Sequence, residues 1–542
     1  MVSWKMMSWK LSAVVCTVVF LVLGILIGKF GIPPDLPSWL RGMSIDGDSS
    51  LTERLMKEIR ADNIEKNLKY FTQKAHIAGS PREEEELVNY IFNEWKSHLD
   101  SARIYPYSVL LSYPNTSDPN YVAVQLENGT EVDVSAKVEK ILNPDQEEDP
   151  TVVNPFNAYS LPGTVMGDPV YVNYGTIEDF TYMKRNLSID LNGTIAIARY
   201  GKIFRADKVK HAAEFGCVGM VLYSDPADYA VDSEVRVYPD DWWLPGTGVQ
   251  RGTVLPRDGD PLTPYYPSIE DSKVEFYYPN GWNILLTADR YVVLGNHRDA
   301  WVFGVVDPSS ASAAMMELSR AFGELPKDGW RPRRSIVFCS WGAEEHGLIG
   351  STEWVEELVK ILGTRAVAYL NVDIAVEGNT TLMASGTPNL YKLLHESAKK
   401  VENPNPDEIA NGRKTVFDTW LANDPSDYDP TLPSTYKLSD YPMYHSAYET
   451  FDLVSRLMDR GFKYHQAVAR LLGVMTMTLA EKVILDLDCT QYANKLERMV
   501  KDIQTHYGPL FEKHGISMGK TASSYITLKY ATTYSINTIN VE

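Results

Sequence analysis

The hydrophobic rhythm of the chain changes repeatedly along its length. Residues 11–28, LSAVVCTVVFLVLGILIG, form an apolar run without a charge. Eighteen helical residues at about 1.5 Å rise reach roughly 27 Å, close to the hydrocarbon thickness of a bilayer, so the run predicts a membrane-spanning helix. GIPPDLPSW (31–39) is Pro-rich and reads as a stalk. Over 51–100, LTERLMKEIRADNIEKNLKYF and PREEEELVNYIFNEWKSHL repeat apolar residues at three- and four-residue spacing, the period of amphipathic helices. Around Tyr113 the texture shifts to short β-type runs between Pro and Gly turns, and YVAVQL, TIAIARY and GMVLYS predict strands. From Arg290 strands and helices alternate. RYVVLG is followed by SSASAAMMELSRAFGEL, a helix opened by Ser309 or Ser310; RSIVFCSW by STEWVEELVKIL; then comes AVAYLNV. That order predicts a parallel sheet with crossover helices. Helical patterns return around 461–484 and over 489–515, before a Thr/Ser/Tyr-rich end without a period.

Lys5 and Lys10 precede the apolar run, and Lys29, Phe30 and Gly31 follow it where a signal peptide would carry small residues for cleavage. The run therefore reads as an uncleaved signal-anchor, with the short basic end in the cytosol and the bulk outside, as in a single-pass type II protein of the plasma membrane. Five N-x-S/T sequons, at Asn115, Asn128, Asn186, Asn192 and Asn379, agree with that topology and four of them group within 115–192. A formal charge of −19 over 542 residues disfavours nucleic acid as a partner. Cys16 lies in the apolar run, and Cys217, Cys339 and Cys489 have no metal-thiolate spacing, so a metal here needs His and carboxylate ligands.

In open α/β sheets, ligands bind beyond the carboxyl ends of the strands. RYVVLG is followed by Asn296-His297-Arg298-Asp299 and then Asp307-Pro308, RSIVFCSW by Gly342-Ala343-Glu344-Glu345-His346-Gly347, and AVAYLN by Asp373; Tyr444 and His445 follow in YPMYHSAYET. Singly, each is an ordinary loop residue. Together, five oxygen or nitrogen donors at one sheet edge need cations, because crowded carboxylates repel. Two metal ions bridged by a carboxylate answer that need, and a Cys-free His/carboxylate set suits zinc, with cobalt or manganese as substitutes. Adjacent residues in extended chain point apart, so one of Glu344 and Glu345 ligates while the other faces the substrate as general base.

LGNHRDAWVFGVVDPSSASA, GWRPRRSIVFCSWGAEEHGLIGSTEW, AYLNVDIAVEG and YPMYHSAYETFDLV resemble the glutamate carboxypeptidase II (N-acetylated-alpha-linked acidic dipeptidase) family of co-catalytic zinc peptidases. VLLSYPNTSDPNY, ARYGKIFR, LYSDPADY, GVQRGTVLPRDGDPLTP and DLDCTQYA extend the resemblance over most of 55–515. It implies an α/β fold, a zinc-aminopeptidase-like mixed sheet flanked by helices, with an inserted β-rich apical domain and a partial C-terminal helical domain. The implied division is a cytosolic tail (1–10), the anchor (11–28), a stalk (29–50), a peptidase domain (51–112 and 283–488), an apical protease-associated domain (113–282) and a truncated helical dimerisation domain (489–542).

Carried over by position, the resemblance implies two zinc ions: His297 and Asp373 on one, Glu345 and His445 on the other, and Asp307 between them. It makes Glu344 the general base, Asp299 the carboxylate that orients His297, and Tyr444 the group that steadies the oxyanion. It also implies a structural calcium at Thr263, Tyr266, Glu353 and Glu356, and gives Arg205 the carboxylate of a C-terminal glutamate, so a small acidic peptide is the expected substrate. The chain departs from the family in four places. EDSKVEFYYPNGWNILLT is short, a helical unit is missing between about 424 and TYKLSDYPMYH, Thr253 replaces a glutamate-binding Asn, and the C-terminal helical region stops early. The missing unit carries the family's arginines facing the substrate's N-terminal portion, and the shortened C-terminal region leaves the family's homodimer surface incomplete. The alternative to an active peptidase is a catalytically impaired, transferrin-receptor-like binding protein or an inactive splice variant.

Overall fold

A computed structural model describes residues 49–230, 236–269, 290–423, 440–485 and 487–516. The apolar run at 11–28, the stalk, the short connection around 270–289, the departure near 424–439 and the polar C-terminal end lie outside the described residues. No helix among the described residues is long and apolar enough to cross a membrane.

The first helical stretch divides into α1 (Ser49–Glu58) and α2 (Ala61–Phe71), and the second opens with a wide turn at Arg82–Leu87 before α3 (Val88–His98). Ile64, Leu68 and Phe71 recur at three- and four-residue spacing on α2 and are buried, as amphipathic spacing requires. YVAVQL departs from expectation. Only Val124–Gln125 pairs, as a two-residue antiparallel ladder with Glu131–Val132. Its Val124 and Leu126 remain about half exposed, so the segment has no apolar surface on which to build a longer strand.

The apical region follows prediction more closely. A short pair joins β1 (Asn157–Ala158) to the later β5 (Gly252–Thr253). Between them, β2 (Pro169–Tyr171), β3 (Ile195–Arg199) and β4 (Gly219–Tyr223) form a parallel sheet in the order 2-3-4. α4 (Ile177–Arg185) and α5 (Arg205–Glu214) connect them. A Thr176–Asp179 capping box opens α4, and Phe180, Ala196, Ala198 and Ala212 share the local core.

The second sheet has β6 (Tyr291–His297) between β7 (Ser335–Trp341) and β8 (Ala366–Asn371), all parallel among the described residues. Every residue of β6 is buried, which explains why YVVL reads as a continuous apolar run instead of alternating. α6 (Ser309–Glu324) and α7 (Ile349–Arg365) are the crossovers. α6 starts with Ser309 as its first residue and Pro308 at the cap, in place of a Ser cap. Its Ala and Ser residues are buried, so the helix packs closely. α8 (Lys463–Glu481) covers the same core with Leu471, Val474 and Met477.

By internal contacts the described residues form two compact units, one being 49–385 and 394–480 and the other including 386–393 and the described part of 481–516. In the second, α9 (Cys489–Lys513) is capped by Asp488, whose N–H donates to the Asn389 carbonyl at 2.9 Å.

Candidate metal and catalytic centre

The register of the sheet brings the predicted donors together. His297 ends β6, so its ring stands at the carboxyl edge of a fully buried strand. Its Nδ1 lies 2.9 Å from the Asp299 carbonyl oxygen, which fixes the ring and leaves Nε2 facing Asp373 Oδ1 at 2.8 Å and Asp307 Oδ1 at 3.2 Å. His445 repeats the arrangement. Its Nδ1 is 3.0 Å from the Arg251 carbonyl oxygen, and its Nε2 is 3.1 Å from both Asp307 Oδ2 and Glu345 Oε2. Asp307 thus offers one carboxylate oxygen to each imidazole. His297, Glu344 and Asp373 form one group of donors within 4.8 Å of one another, and Asp307, Glu345 and His445 form a second.

The Glu344–Glu345 turn is set by Asp299 and by backbone conformation. The Asp299 carboxylate accepts the Glu344 N–H at 3.0 Å and the Glu345 N–H at 3.2 Å, while its Oδ1 stands 3.5 Å from His297 Nδ1. Asp299 therefore positions both the ring, chiefly through its main chain, and the turn carrying the two glutamates. Ala343 and Leu348 take left-handed φ angles of 56° and 52° on either side, and Glu345 turns inward to His445 while Glu344 stays more open.

The donor set fits a metal pair. Zinc with donors at about 2.0–2.2 Å in tetrahedral array places those donors roughly 3.3 Å apart, near the imidazole–carboxylate separations here. Glu345 Oε1 and Asp307 Oδ1 are buried without a hydrogen-bond partner among the described residues, as lone pairs reserved for a cation would be. The electrostatics agree. Burial disfavours the His445 cation, yet Glu345 and Asp307 against the ring hold its pKa up to about 10. Burial lifts Glu345 to about 7 against the pull of His445, and lifts Glu344 well above the ordinary carboxylate range. The site gathers more negative charge than its two imidazoles balance.

Other residues hold this geometry, and sequence reasoning missed them. Buried Glu449 accepts the His445 N–H at 2.7 Å and the Val306 and Asp307 N–H groups at 3.3 Å, clamping two ligand loops together. His445 itself sits at φ 61°, a left-handed conformation that this clamp secures. Arg251, whose carbonyl orients His445, makes a buried 2.8 Å ion pair with Glu139. Asn296 Nδ2 donates to Pro308 O at 3.1 Å and Ser312 Oγ at 3.0 Å, tying the end of β6 to α6. Glu449 lies four residues past His445 and so had a local signal; Glu139 had none.

Tyr444 stacks on the His445 ring with centroids 3.6 Å apart. Arg205, at the start of α5, reaches toward the same place. Its buried guanidinium lies 5.9 Å from the Tyr444 ring centre and donates to Gln250 Oε1 at 3.0 Å. It packs on Gly252, where a Cβ would fall 2.4 Å from Arg205 Cζ and would displace the guanidinium. Among the described residues Arg205 has no carboxylate partner, and its Nε is buried without an acceptor. Thr253 is turned away from this space, since its hydroxyl donates to the His346 carbonyl at 3.2 Å and accepts the Leu255 N–H.

The predicted calcium residues lie on α7 and on the loop around Thr263. Glu353 is fully buried and accepts the Asp260 N–H at 2.8 Å and the Ser268 N–H at 2.6 Å. Thr263 Oγ donates to Asp260 Oδ2 at 2.8 Å, and the Tyr266 N–H donates to the Thr263 carbonyl. Glu356 Oε2, one turn along α7, is buried without a hydrogen-bond partner among the described residues. Asn115, Asn128, Asn186, Asn192 and Asn379 are all exposed.

Comparison with known proteins meets this geometry from another direction. Residues 283–460 match the model of peptidase family M28, and residues 151–256 match the PA domain. The chain is 35% identical to the aminopeptidase NAALADL1 of Rattus norvegicus, over 94% of this chain and 83% of that protein. It is 34% identical to the glutamate carboxypeptidase 2 homolog of Caenorhabditis elegans and 33% identical to the probable glutamate carboxypeptidase LAMP1 of Arabidopsis thaliana, each over 81% of this chain and over 71% and 74% of those proteins. The rat alignment runs over 626 positions, more than the 542 residues here, so internal segments of that relative lack counterparts. With His and carboxylate donors gathered at the sheet edge, the chain belongs to the glutamate carboxypeptidase-like family of M28 peptidases and is a zinc metallopeptidase.

Proposed function

We propose that the chain is a di-zinc carboxypeptidase that releases a C-terminal glutamate from small peptides or poly-glutamylated compounds. The observation that carries the reading is Arg205, a buried guanidinium beside Tyr444 without a carboxylate of its own among the described residues. Burying a cation is costly unless an anion joins it, and a substrate carboxylate is an anion of the right geometry for a guanidinium fork.

His297 and Asp373 would hold one zinc, Glu345 and His445 the other, with Asp307 between them. When bound, the pair would supply Lewis acidity that lowers the pKa of a water toward neutrality. Glu344, in the more open position, would accept a proton from the attacking water and deliver it to the leaving amine, so that the C–N bond breaks, the acyl carbon gains hydroxyl and the amine gains hydrogen. Tyr444 stands beside His445 to steady charge on the carbonyl oxygen. A structural calcium at Thr263, Tyr266, Glu353 and Glu356 would brace the loop under α7. The apolar run, the basic residues before it and the exposed sequons support a plasma-membrane, type II anchoring with the peptidase outside. Carbonate-resistant membrane association, lost on deleting residues 1–28, tests that part.

Peptides ending in Glu, Leu, Lys and glutamate amide test specificity. Glutamate should be preferred, and Arg205→Met should raise KM for it about tenfold or more while kcat changes little. Equal rates for the free acid and the amide would remove Arg205 from substrate recognition.

A further inference from the structure

The loop that leaves the metal centre after Asp373 forms one wall of a cavity of about 130 Å³. Ile374, Val376 and Met383 come from that loop, Val416 from a neighbouring short helix, and Ala467 and Leu471 from α8. Tyr464, Ala467, Val468 and Leu471 have the three- and four-residue spacing of one helix face, so α8 presents a continuous side to the cavity. The loop is anchored beside the metal centre, because the Ala375 N–H donates to Ser310 Oγ at 3.0 Å on the helix that follows Asp307. An apolar cavity of about 150 Å³ is enough for a benzene molecule, so this one has room for an aliphatic side chain.

Two acids, Glu377 and Glu408, line the cavity, together with polar groups such as Asn379, Thr381 and Asn403. Glu377 lies on the cavity wall four residues past Asp373, near enough to Asp440, Asp307 and Asp373 to feel their charge, and makes no hydrogen bond or ion pair with the described residues. Glu408, the other acid on the wall, is committed to Arg413 and Thr419. Among the described residues no Lys or Arg lines the cavity. An acidic side chain entering here would meet the negative charge of Glu377, whereas an aliphatic side chain would pack on Ile374, Val376 and Leu471 and a neighbouring ammonium would find Glu377.

We propose that this cavity receives the residue on the N-terminal side of the scissile bond, as an aliphatic side chain with its free α-ammonium turned to Glu377. The proposal rests on the carboxypeptidase reading above and narrows it. The substrate is a short peptide read at both ends, its C-terminal carboxylate by Arg205 and its N-terminal ammonium by Glu377, and hydrolysis adds one water to give two free amino acids from a dipeptide.

The test uses the full-length zinc-loaded protein and two readouts. Leu-Glu, Ala-Glu, Glu-Glu and N-acetyl-Leu-Glu are compared for hydrolysis, and uncleavable reduced-amide forms of Leu-Glu and Glu-Glu are compared for binding by calorimetry. Leu-Glu should exceed Glu-Glu by tenfold or more in both kcat/KM and affinity, and acetylation should reduce kcat/KM by a similar factor. Glu377→Gln should erase the preference for Leu-Glu over N-acetyl-Leu-Glu. Ala467→Phe, which fills the cavity, should reverse the order of Leu-Glu and Ala-Glu. Equal or better hydrolysis and binding of the Glu-Glu pair would overturn the cavity assignment while leaving Arg205 in place. If the Leu-Glu isostere binds but no dipeptide is cleaved, the catalytic reading fails and the cavity assignment survives. Failure of both isosteres to bind overturns the cavity assignment.

Discussion

Two carboxylate clusters in the core meet their negative charge in opposite ways. At the sheet edge, Asp307, Glu344, Glu345 and Asp373 face two imidazoles, and buried oxygens of Asp307 and Glu345 have no hydrogen-bond partner among the described residues. On α7, both oxygens of Glu353 accept main-chain N–H groups, and only Glu356 retains a buried unpartnered oxygen. The first cluster is built around missing positive charge and the second is largely satisfied by its own loop. A cation should therefore be indispensable to the first and supplementary to the second.

The largest effect should come from Asp307→Ala, which takes one oxygen from each imidazole. Zinc content by elemental analysis should collapse and hydrolysis should fall to background. Retention of both metals would break the view of Asp307 as the shared group. Glu344→Gln should separate binding from chemistry, lowering kcat about 10²- to 10⁴-fold with zinc content unchanged, because only the proton acceptor is lost. A parallel loss of metal would make Glu344 a ligand.

Glu353→Ala should act on stability. It strands two buried N–H groups at about 1–3 kcal/mol each, so the melting temperature should fall while turnover at low temperature stays within about twofold. Chelation selective for calcium should lower the melting temperature of the unaltered protein by less than this substitution does.

The smallest effect is one of pH. Burial raises the Glu353 and Glu356 carboxyls above their ordinary pKa, and in Glu356 the charge of Glu353 adds to it. A folded-state pKa above the unfolded one means that the fold binds extra protons, so the cation-free protein gains stability as pH falls through the raised values. Protons compete with calcium over the same interval. The difference in melting temperature with and without calcium should therefore shrink on acidification before the ordinary carboxylate range is reached, and a constant difference from pH 7 to 5 would argue against both carboxyls as ligands.

Much of the centre was legible because its donors sit where local pattern can find them. His297 directly ends an apolar strand, Glu344 and Glu345 follow the next, and Asp373 follows the third, so strand order alone gathers them at one edge. Arg205 was legible only by resemblance, since a single Arg at a helix start carries no signal of burial. Asp299 was assigned the right neighbourhood, but the structure divides its work between the carbonyl beside His297 and the carboxylate beneath Glu344 and Glu345. YVAVQL looked like a strand because β-branched residues alternate there, yet strand formation also needs a surface to cover.

The sequence by itself determined the strand–helix alternation, the five donors, the candidate base and the family, because these depend on local periodicity and on residue types at fixed distances along the chain. Tertiary structure decided which imidazole faces which carboxylate and which glutamate turns inward. It also decided that Glu139, Arg251 and Glu449 hold His445, and that Glu377 borders a cavity. Those outcomes depend on contacts between segments far apart in the chain, 308 residues in the case of Glu139 and Ala447, and on the desolvation of charges that only the packed interior imposes.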